Sequence, residues 1–231
     1  MARTPRALKV GAKTTETAES TVKPAKTYEK ARARTRGKLL RAAKIVMGKK
    51  GIEATAINDI TEEAEVSFGS FYNYFSSKEA IARAVFIADA ITLANILDEE
   101  MPPDASMAFR VGINIRRTMR YCLTDTVWGW FLVHSAYSIS DLVDTLGTRM
   151  ARDLKKGIKD GSFTIVDVNA TANFIVGGSI FHLRQILEGD LPCASIESSV
   201  FLVLCGIGVP VEEARRIIDQ PLEDSITKRD E

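Results

Sequence analysis

From residue 39 to about residue 219 the apolar positions recur at helical spacing, and nowhere do they alternate as in a half-buried strand. Leu39, Leu40, Ala43, Val46 and Met47 make one apolar stripe, and Gly51 stands where that helix should stop. Ile57, Ile60 and Ala64 fall at i, i+3 and i+7, the inward face of a short helix. Ser67 is suited to cap a second one, whose buried face is Phe71 and Phe75, four apart. Two short helices with a supporting helix behind them form a helix-turn-helix, which places one helix in the major groove of DNA. Ser76 and Glu79 have capping-box spacing and should open a helix from Lys78 to about Glu99, ahead of Pro102-Pro103. Beyond Asp104 the pattern predicts helices over 105–124, 126–138, 140–159, 167–188, 194–207 and 210–219. Asp160-Gly161, Glu188-Gly189-Asp190 and Gly208-Val209-Pro210 are the expected breaks. The fold class is therefore all-α, with a helix-turn-helix domain over 35–80 and a larger helical body over 81–222.

Residues from about Arg36 to Val85 resemble the DNA-binding domain of the TetR family of bacterial transcriptional regulators. The resemblance is carried by Ala42-Ala43, Gly51, Thr55, Ile57, Ile60, Ala64, Val66, Ser67, Gly69, Phe71-Tyr72, Tyr74-Phe75 and Ser77-Lys78-Glu79. It implies that Gly69, Ser70, Tyr72 and Tyr74 touch DNA and that Lys78 binds a phosphate. It also implies a ligand-binding and dimerisation body whose state reaches the head through a small tilt of the connecting helix. Asn73, on the outer face, could pair with adenine or simply face solvent. Thr55 looks like the N-cap of the first short helix, with a hydroxyl that could also meet a phosphate. Two positions depart from the family. Glu65 stands where Gly is usual in the turn, and a left-handed backbone there is less comfortable for Glu. Phe68 stands where a polar or basic residue is common; it either meets a thymine methyl or packs beside Phe71 and Phe75.

Charge sharpens this picture. The formal net charge is only +1, yet residues 1–50 hold 15 Lys or Arg against 3 Glu, and the rest holds 16 basic against 27 acidic side chains. A basic pole beside the helix-turn-helix suits a polyanion. Residues 1–34 have few large apolar groups and read as a disordered basic arm, and 223–231 as a flexible tail. Arg34 and Arg36, in an alternating run just before the first helix, could reach phosphates or a minor groove, or merely solvate the chain.

In the body, the aromatic-rich segments point to a pocket. Phe86, Phe109, Ile113, Met119, Tyr121, Trp128, Trp130, Phe131, His134 and Tyr137 are the candidate ligand contacts, with both tryptophans of the chain in Val127–Phe131. Such side chains pair apolar bodies with polar tips and suit a small hydrophobic or aromatic effector, though a closed aromatic core would use the same residues. Acidic residues are not concentrated among these aromatics, which argues against a cationic ligand. Arg116, Arg117 and Arg120 read first as a solvated basic face, and could hold a carboxylate if one faces inward. Surplus apolar surface on the last long helices suggests a subunit contact through Phe174, Gly177, Gly178, Phe181, Phe201 and Leu204. The resemblance implies a homodimer through a four-helix bundle there; a twofold dimer predicts a palindromic double-stranded DNA operator.

Other chemistry is poorly supported. No H-E-x-x-H, P-loop, nucleophile elbow or metal-spaced cysteine pair occurs, and no motif sets a nucleophile beside a base, so neither an enzyme nor a metal or cofactor is expected. Cys122, Cys193 and Cys205 are far apart and odd in number, as free thiols of a reducing cytoplasm would be. No uninterrupted apolar run of about 18 residues suggests a membrane span. The expected function is a cytoplasmic, ligand-responsive DNA-binding regulator, most often a repressor. The alternative keeps the DNA head but answers to a protein partner or to no ligand.

Overall fold

The computed structural model describes residues 23–99, 101–138 and 140–222, with the side chains of 23–27, 98, 137 and 140–145 outside that description. The described residues form ten α-helices and no strand. They are α1 (Lys23–Lys50), α2 (Ile57–Glu63), α3 (Phe68–Phe71), α4 (Lys78–Glu99), α5 (Met107–Thr124), α6 (Thr126–Ser138), α7 (Ser140–Lys159), α8 (Val168–Glu188), α9 (Ser195–Gly206) and α10 (Val211–Ile218).

The head is α1 to α3 with the start of α4. Leu39, Ala43, Met47, Ile60, Phe71 and Ile81 are all fully buried and close its core. Gly51 stops α1 as its stripe predicts, in the left-handed region at φ 82°. The beginning of α1 differs from expectation. Helix starts at Lys23, so 23–34 is not a disordered arm; its Ala, Lys, Arg and Glu are strong helix formers, and Pro24 sits in the first turn where proline is tolerated. Residues 1–22 and 223–231 lie outside the described residues.

The body wraps around α6, which packs on α1, α5, α7 and α8. The approach of α1 to α6 is close because residue 48 is glycine: a Cβ there would lie 2.8 Å from the Val127 carbonyl oxygen. Four predicted helices begin or end within two residues of expectation, and α6 and α7 coincide with it. Arg116 is buried and turned away from the interior of the bundle. Its guanidinium donates to the Ile217 carbonyl (3.1 Å), the Gln220 carbonyl (3.0 Å) and the Glu197 carboxylate (3.3 Å), stapling α9 and α10 to α5. The carboxylate that meets Arg116 is thus the protein's own, and exposed Arg120 shares it at 2.7 Å.

Within α4, Lys78–Leu97 is long and apolar enough by composition to cross a membrane, unlike the expectation from uninterrupted runs. Its apolar residues have another use here: Ile81, Ala82, Val85 and Phe86 are buried in the core. This one helix therefore joins the head to the body.

Candidate functional site

The outward face of the head is built from the second short helix of the motif. Ser67 starts it in an extended conformation (ψ 149°), but its hydroxyl bonds the Ser70 hydroxyl (2.8 Å) rather than capping a backbone N–H. After Phe71 the helical path continues as turns, with the Tyr74 and Phe75 amides both donating to the Phe71 carbonyl at 3.0 Å. Phe71 and Phe75 point inward, which leaves Phe68, Gly69, Tyr72 and Asn73 exposed and Ser70 and Tyr74 half-buried. Phe68 is 50% exposed and stands edge-on to Tyr72 (5.5 Å between ring centres), so it does not pack beside Phe71 and Phe75. An apolar ring held on the outer face is the arrangement that could meet a thymine methyl.

Other head residues sit differently from expectation. Thr55 is buried, and its hydroxyl donates to the Gly51 carbonyl at 2.6 Å, so it neither caps α2 nor looks toward a phosphate. The N-cap position belongs to Ala56, whose own amide donates to the Asp59 carboxylate at 2.7 Å, the reciprocal half of a capping box; alanine has no acceptor to offer the amides of the first turn. The cap before α4 is Ser77, which accepts from the Ala80 amide at 3.1 Å, not Ser76. Lys78 donates to the carbonyls of Glu53 (2.9 Å) and Thr55 (3.3 Å), tying α4 to the loop before α2 while keeping a third N–H available. Arg34 is exposed on α1, and Arg36 lays its guanidinium over the Phe75 ring at 5.4 Å. Glu65 takes the left-handed turn at φ 54°, and its exposed carboxylate lies 3.6 Å from Lys38.

The body holds a cavity of about 210 Å³ walled by α4, α5, α6, α7 and α8. Of the aromatic and apolar candidates, Phe86, Met119 and Trp128 line it. Tyr137 has its side chain outside the described residues. The remaining candidates are placed elsewhere, for a geometric reason: successive helical residues turn by about 100°, so neighbours in sequence face different ways. Trp130 and His134 pair with each other (5.4 Å) on the α1 side, where His134 Nδ1 is 3.3 Å from the Met47 carbonyl oxygen. Phe131 is stacked behind Trp128 at 5.5 Å and supports it without lining the space. Ile113 is buried away from the cavity, and Phe109 and Tyr121 are half-buried outside it.

The polar residues of the wall escaped the sequence reading: Asn114 and Thr118 on α5, Arg149 and Asp153 on α7, and Ser179 on α8. A signal existed. Val111, Ile115, Met119 and Cys122 form the buried stripe of α5, and Asn114 and Thr118 interrupt it on the same face. Cys122 also lines the cavity, and burial pushes its thiol up to about 12.

Next to the cavity, Lys44 of α1 bridges two carboxylates, Asp125 before α6 (2.6 Å) and Asp89 of α4 (3.1 Å). Asp125 also caps α6 by accepting from the Trp128 amide (2.9 Å), and the Lys44 ammonium lies over the Trp128 ring at 5.7 Å. Burial works against the Lys44 charge, but the hydrogen bond to Asp125 and the charge of Asp89 outweigh it and hold its pKa above the ordinary value. Asp89 is pushed up, because burial and the second carboxylate outweigh the pull of Lys44. Head helix, connecting helix and cavity wall therefore meet at one ammonium.

On the far side, Phe174 (80% exposed), Phe181 (57%) and Leu202 (71%) leave an apolar face uncovered in the single chain. Side chains added at Gly177 or Gly178 would meet nothing. Leu204 is different from expectation: it is fully buried against Gly112 inside the protomer, and Leu202, half a turn away, faces out. Phe201 is half-buried beneath the Arg215 guanidinium at 5.5 Å. The turn between α8 and α9 also brings His182 Nε2 to 2.7 Å from the Ser195 hydroxyl, a serine–histidine pair that no motif announced. That hydroxyl donates to the Pro192 carbonyl (2.7 Å), so the imidazole is its donor, the reverse of a general base.

A helix-turn-helix head on an all-helical body with an internal cavity defines a TetR-type regulator. The chain matches the family described as bacterial regulatory proteins, tetR family, over residues 39–85, and the tetracyclin repressor-like C-terminal domain over residues 107–220. It belongs to the TetR family of DNA-binding transcriptional regulators. It is 30% identical over 200 residues, 82% of its length and 89% of the relative's, to the HTH-type transcriptional repressor DhaR of Mycobacterium sp. (strain GP1). Its structure is similar to that of RolR in complex with resorcinol (TM-score 0.65, 27% identity, covering 85% of this chain and 98% of that one). It is also similar in fold to FadR of Bacillus subtilis in complex with stearoyl-CoA (TM-score 0.62, 18% identity, covering 74% of this chain and 98% of that one).

Proposed function

We propose that this regulator is a repressor that holds a palindromic operator as a homodimer and leaves it when a small hydrophobic or aromatic effector fills the cavity. The observation that carries the reading is the double use of α4: its Phe86, Ala90 and Leu93 wall the cavity, while its Lys78 anchors the head loop. An effector that favours one position of α4 changes the pose of the head, and by linkage DNA affinity falls as effector occupancy rises. The Lys44 bridge is the second coupling element, since it ties α1 to both α4 and the first turn of α6. RolR, with its resorcinol complex, supports a compact aromatic effector. On the head, Phe68, Gly69, Ser70, Tyr72, Asn73 and Tyr74 form the base-reading face, with Arg34, Arg36 and Lys78 toward phosphates. Thr55 takes no part. The apolar face of Phe174, Phe181 and Leu202 is the dimer contact. An open cavity of about 210 Å³ favours a small-molecule signal over a protein partner or no signal.

The test is a genomic-fragment selection with purified protein at moderate salt. A short palindromic site is the expected result. A single half-site or no enrichment would remove the dimeric operator reading, and an operator complex indifferent to every compound that binds the protein would remove the effector reading.

A further inference from the structure

The cavity is mostly apolar, yet two of its lining residues each carry a buried polar atom without a hydrogen-bond partner among the described residues. One is the indole N–H of Trp128, a side chain only 2% exposed, and it can only donate. The other is the amide oxygen of Asn114, which can only accept. Leaving either unmade costs a desolvation penalty that native interiors normally avoid. A bound molecule that completed both would remove that penalty. Building on the effector reading above, we infer that the effector is a neutral, single-ring hydroxyl compound of the phenol class, recognised by donation from Trp128 and by acceptance at Asn114.

Three features select this class. A hydroxyl both accepts and donates, so it can answer Trp128 and Asn114; an ether or ketone answers only Trp128, and a hydrocarbon answers neither. The space of about 210 Å³ exceeds the roughly 150 Å³ of an apolar protein cavity known to hold benzene, which suits one substituted ring and is too small for a long acyl chain. The charged side chains of the wall are one cation, Arg149, and one anion, Asp153, so no net charge asks for an ionic ligand. A phenol, with an acidity like that of tyrosine, is neutral at pH 7.

The experiment is calorimetric titration of the full-length dimer with 3-methylphenol, 1-methoxy-3-methylbenzene and 1,3-dimethylbenzene, three probes with the same ring and nearly the same outline. The phenol should bind roughly tenfold or more tightly than the hydrocarbon, with the ether between them, as two ordinary buried hydrogen bonds predict. Asn114→Leu should erase the gap between phenol and ether while leaving the ether's affinity in place. Trp128→Phe should weaken phenol and ether together relative to the hydrocarbon. Equal binding of all three probes overturns the hydroxyl reading and leaves the effector cavity standing, and so does a phenol–ether gap that survives Asn114→Leu. Binding of none of the three to the folded dimer overturns both. The wild-type series needs no variant, so a poorly folding Trp128→Phe protein does not blunt the test.

Discussion

Phe71 and Trp128 are both buried aromatic residues, but they serve opposite surfaces. Phe71 fills the small core of the head so that its neighbours Phe68, Gly69, Tyr72 and Asn73 look outward. Trp128 stands in the body against Phe131 and Phe86, and it is itself a wall of the site. In the head the core and the functional face are different residues on opposite sides of one helix. In the body they are the same residues. On the function proposed above, the head can therefore vary what it reads without repacking, whereas a change of the cavity wall is also a change of core.

Exchanging aromatic residues on the two sides gives the largest test of this contrast. Trp128→Ala should cost about 3–5 kcal/mol in chemical denaturation, because a large buried ring is removed and a cavity enlarged. Tyr72→Ala, at a side chain 52% exposed, should change stability by no more than about 0.5 kcal/mol while weakening operator binding several-fold. If Tyr72→Ala destabilises as strongly as Trp128→Ala, the head does not separate core from face.

The same contrast explains what could be read from the sequence. Helix boundaries in the body were legible because glycine punctuates them: Gly161, Gly189 and Gly208 all have φ between 82° and 94° at the predicted breaks. The head was legible residue by residue, since Phe71 and Phe75 fix its rotation and so fix what lies opposite. The cavity wall was not. Whether Trp128 or Trp130 faces inward depends on the rotation of α6 against α1, α5 and α8, and both rings suit either place. Caps were legible only in part: Thr55 and Ser76 have capping chemistry but Ala56 and Ser77 hold those positions, while Ser67 does stand at the N-cap of α3 with its hydroxyl turned to Ser70. The sequence pattern also missed that 23–34 is helical, because the chain there carries no apolar stripe to announce a helix.

A smaller effect probes the seam between the two regions. A methyl group at position 48 would sit 2.8 Å from the Val127 carbonyl oxygen, a backbone atom of α6. Gly48→Ala should therefore force α1 and α6 apart and cost about 1–3 kcal/mol, read as a lower denaturation midpoint with an unchanged slope. A neutral result would mean that the seam is loose at this point, leaving α4 and the Lys44 bridge to couple head and body.

Smaller still is a change expected to help the head. Glu65 holds the left-handed turn conformation at φ 54°, which glycine adopts without steric strain. Glu65→Gly should stabilise the protein by about 0.5–1 kcal/mol, less than the full strain because glycine gains more freedom when unfolded. It also removes a carboxylate from the basic end of the molecule, so non-specific DNA binding should tighten at low salt and converge with wild type as salt rises. Stability that falls instead would show the Lys38 contact to outweigh the backbone strain.

The smallest effect separates the regions by pH. In the body, burial alone would raise the Glu197 carboxyl, but the Arg120 and Arg116 guanidinium groups reverse this and hold it below its ordinary 4.5. Its contribution is therefore complete above about pH 4.5 and is lost as pH falls through the lowered value. Asp89 has the opposite sign. Its raised pKa means that the folded chain holds that proton more tightly, so stability declines as pH rises from the ordinary 3.8. Glu197→Gln keeps an acceptor for both arginines but removes the charge, so it should cost less than about 1 kcal/mol at neutral pH. The gap between wild type and variant should then close as thermal unfolding is followed downward below pH 4.5, because acid protonates the wild-type residue and leaves glutamine unchanged. The carboxylates of the head, Asp59 and Glu79, are also lowered, Asp59 chiefly by Lys50 and Glu79 chiefly by the Ser77 hydroxyl, and the variant leaves both intact. Acid sensitivity should therefore survive in the head while it weakens in the body. A gap that stays constant with pH would mean that Glu197 holds α9 through its shape rather than its charge.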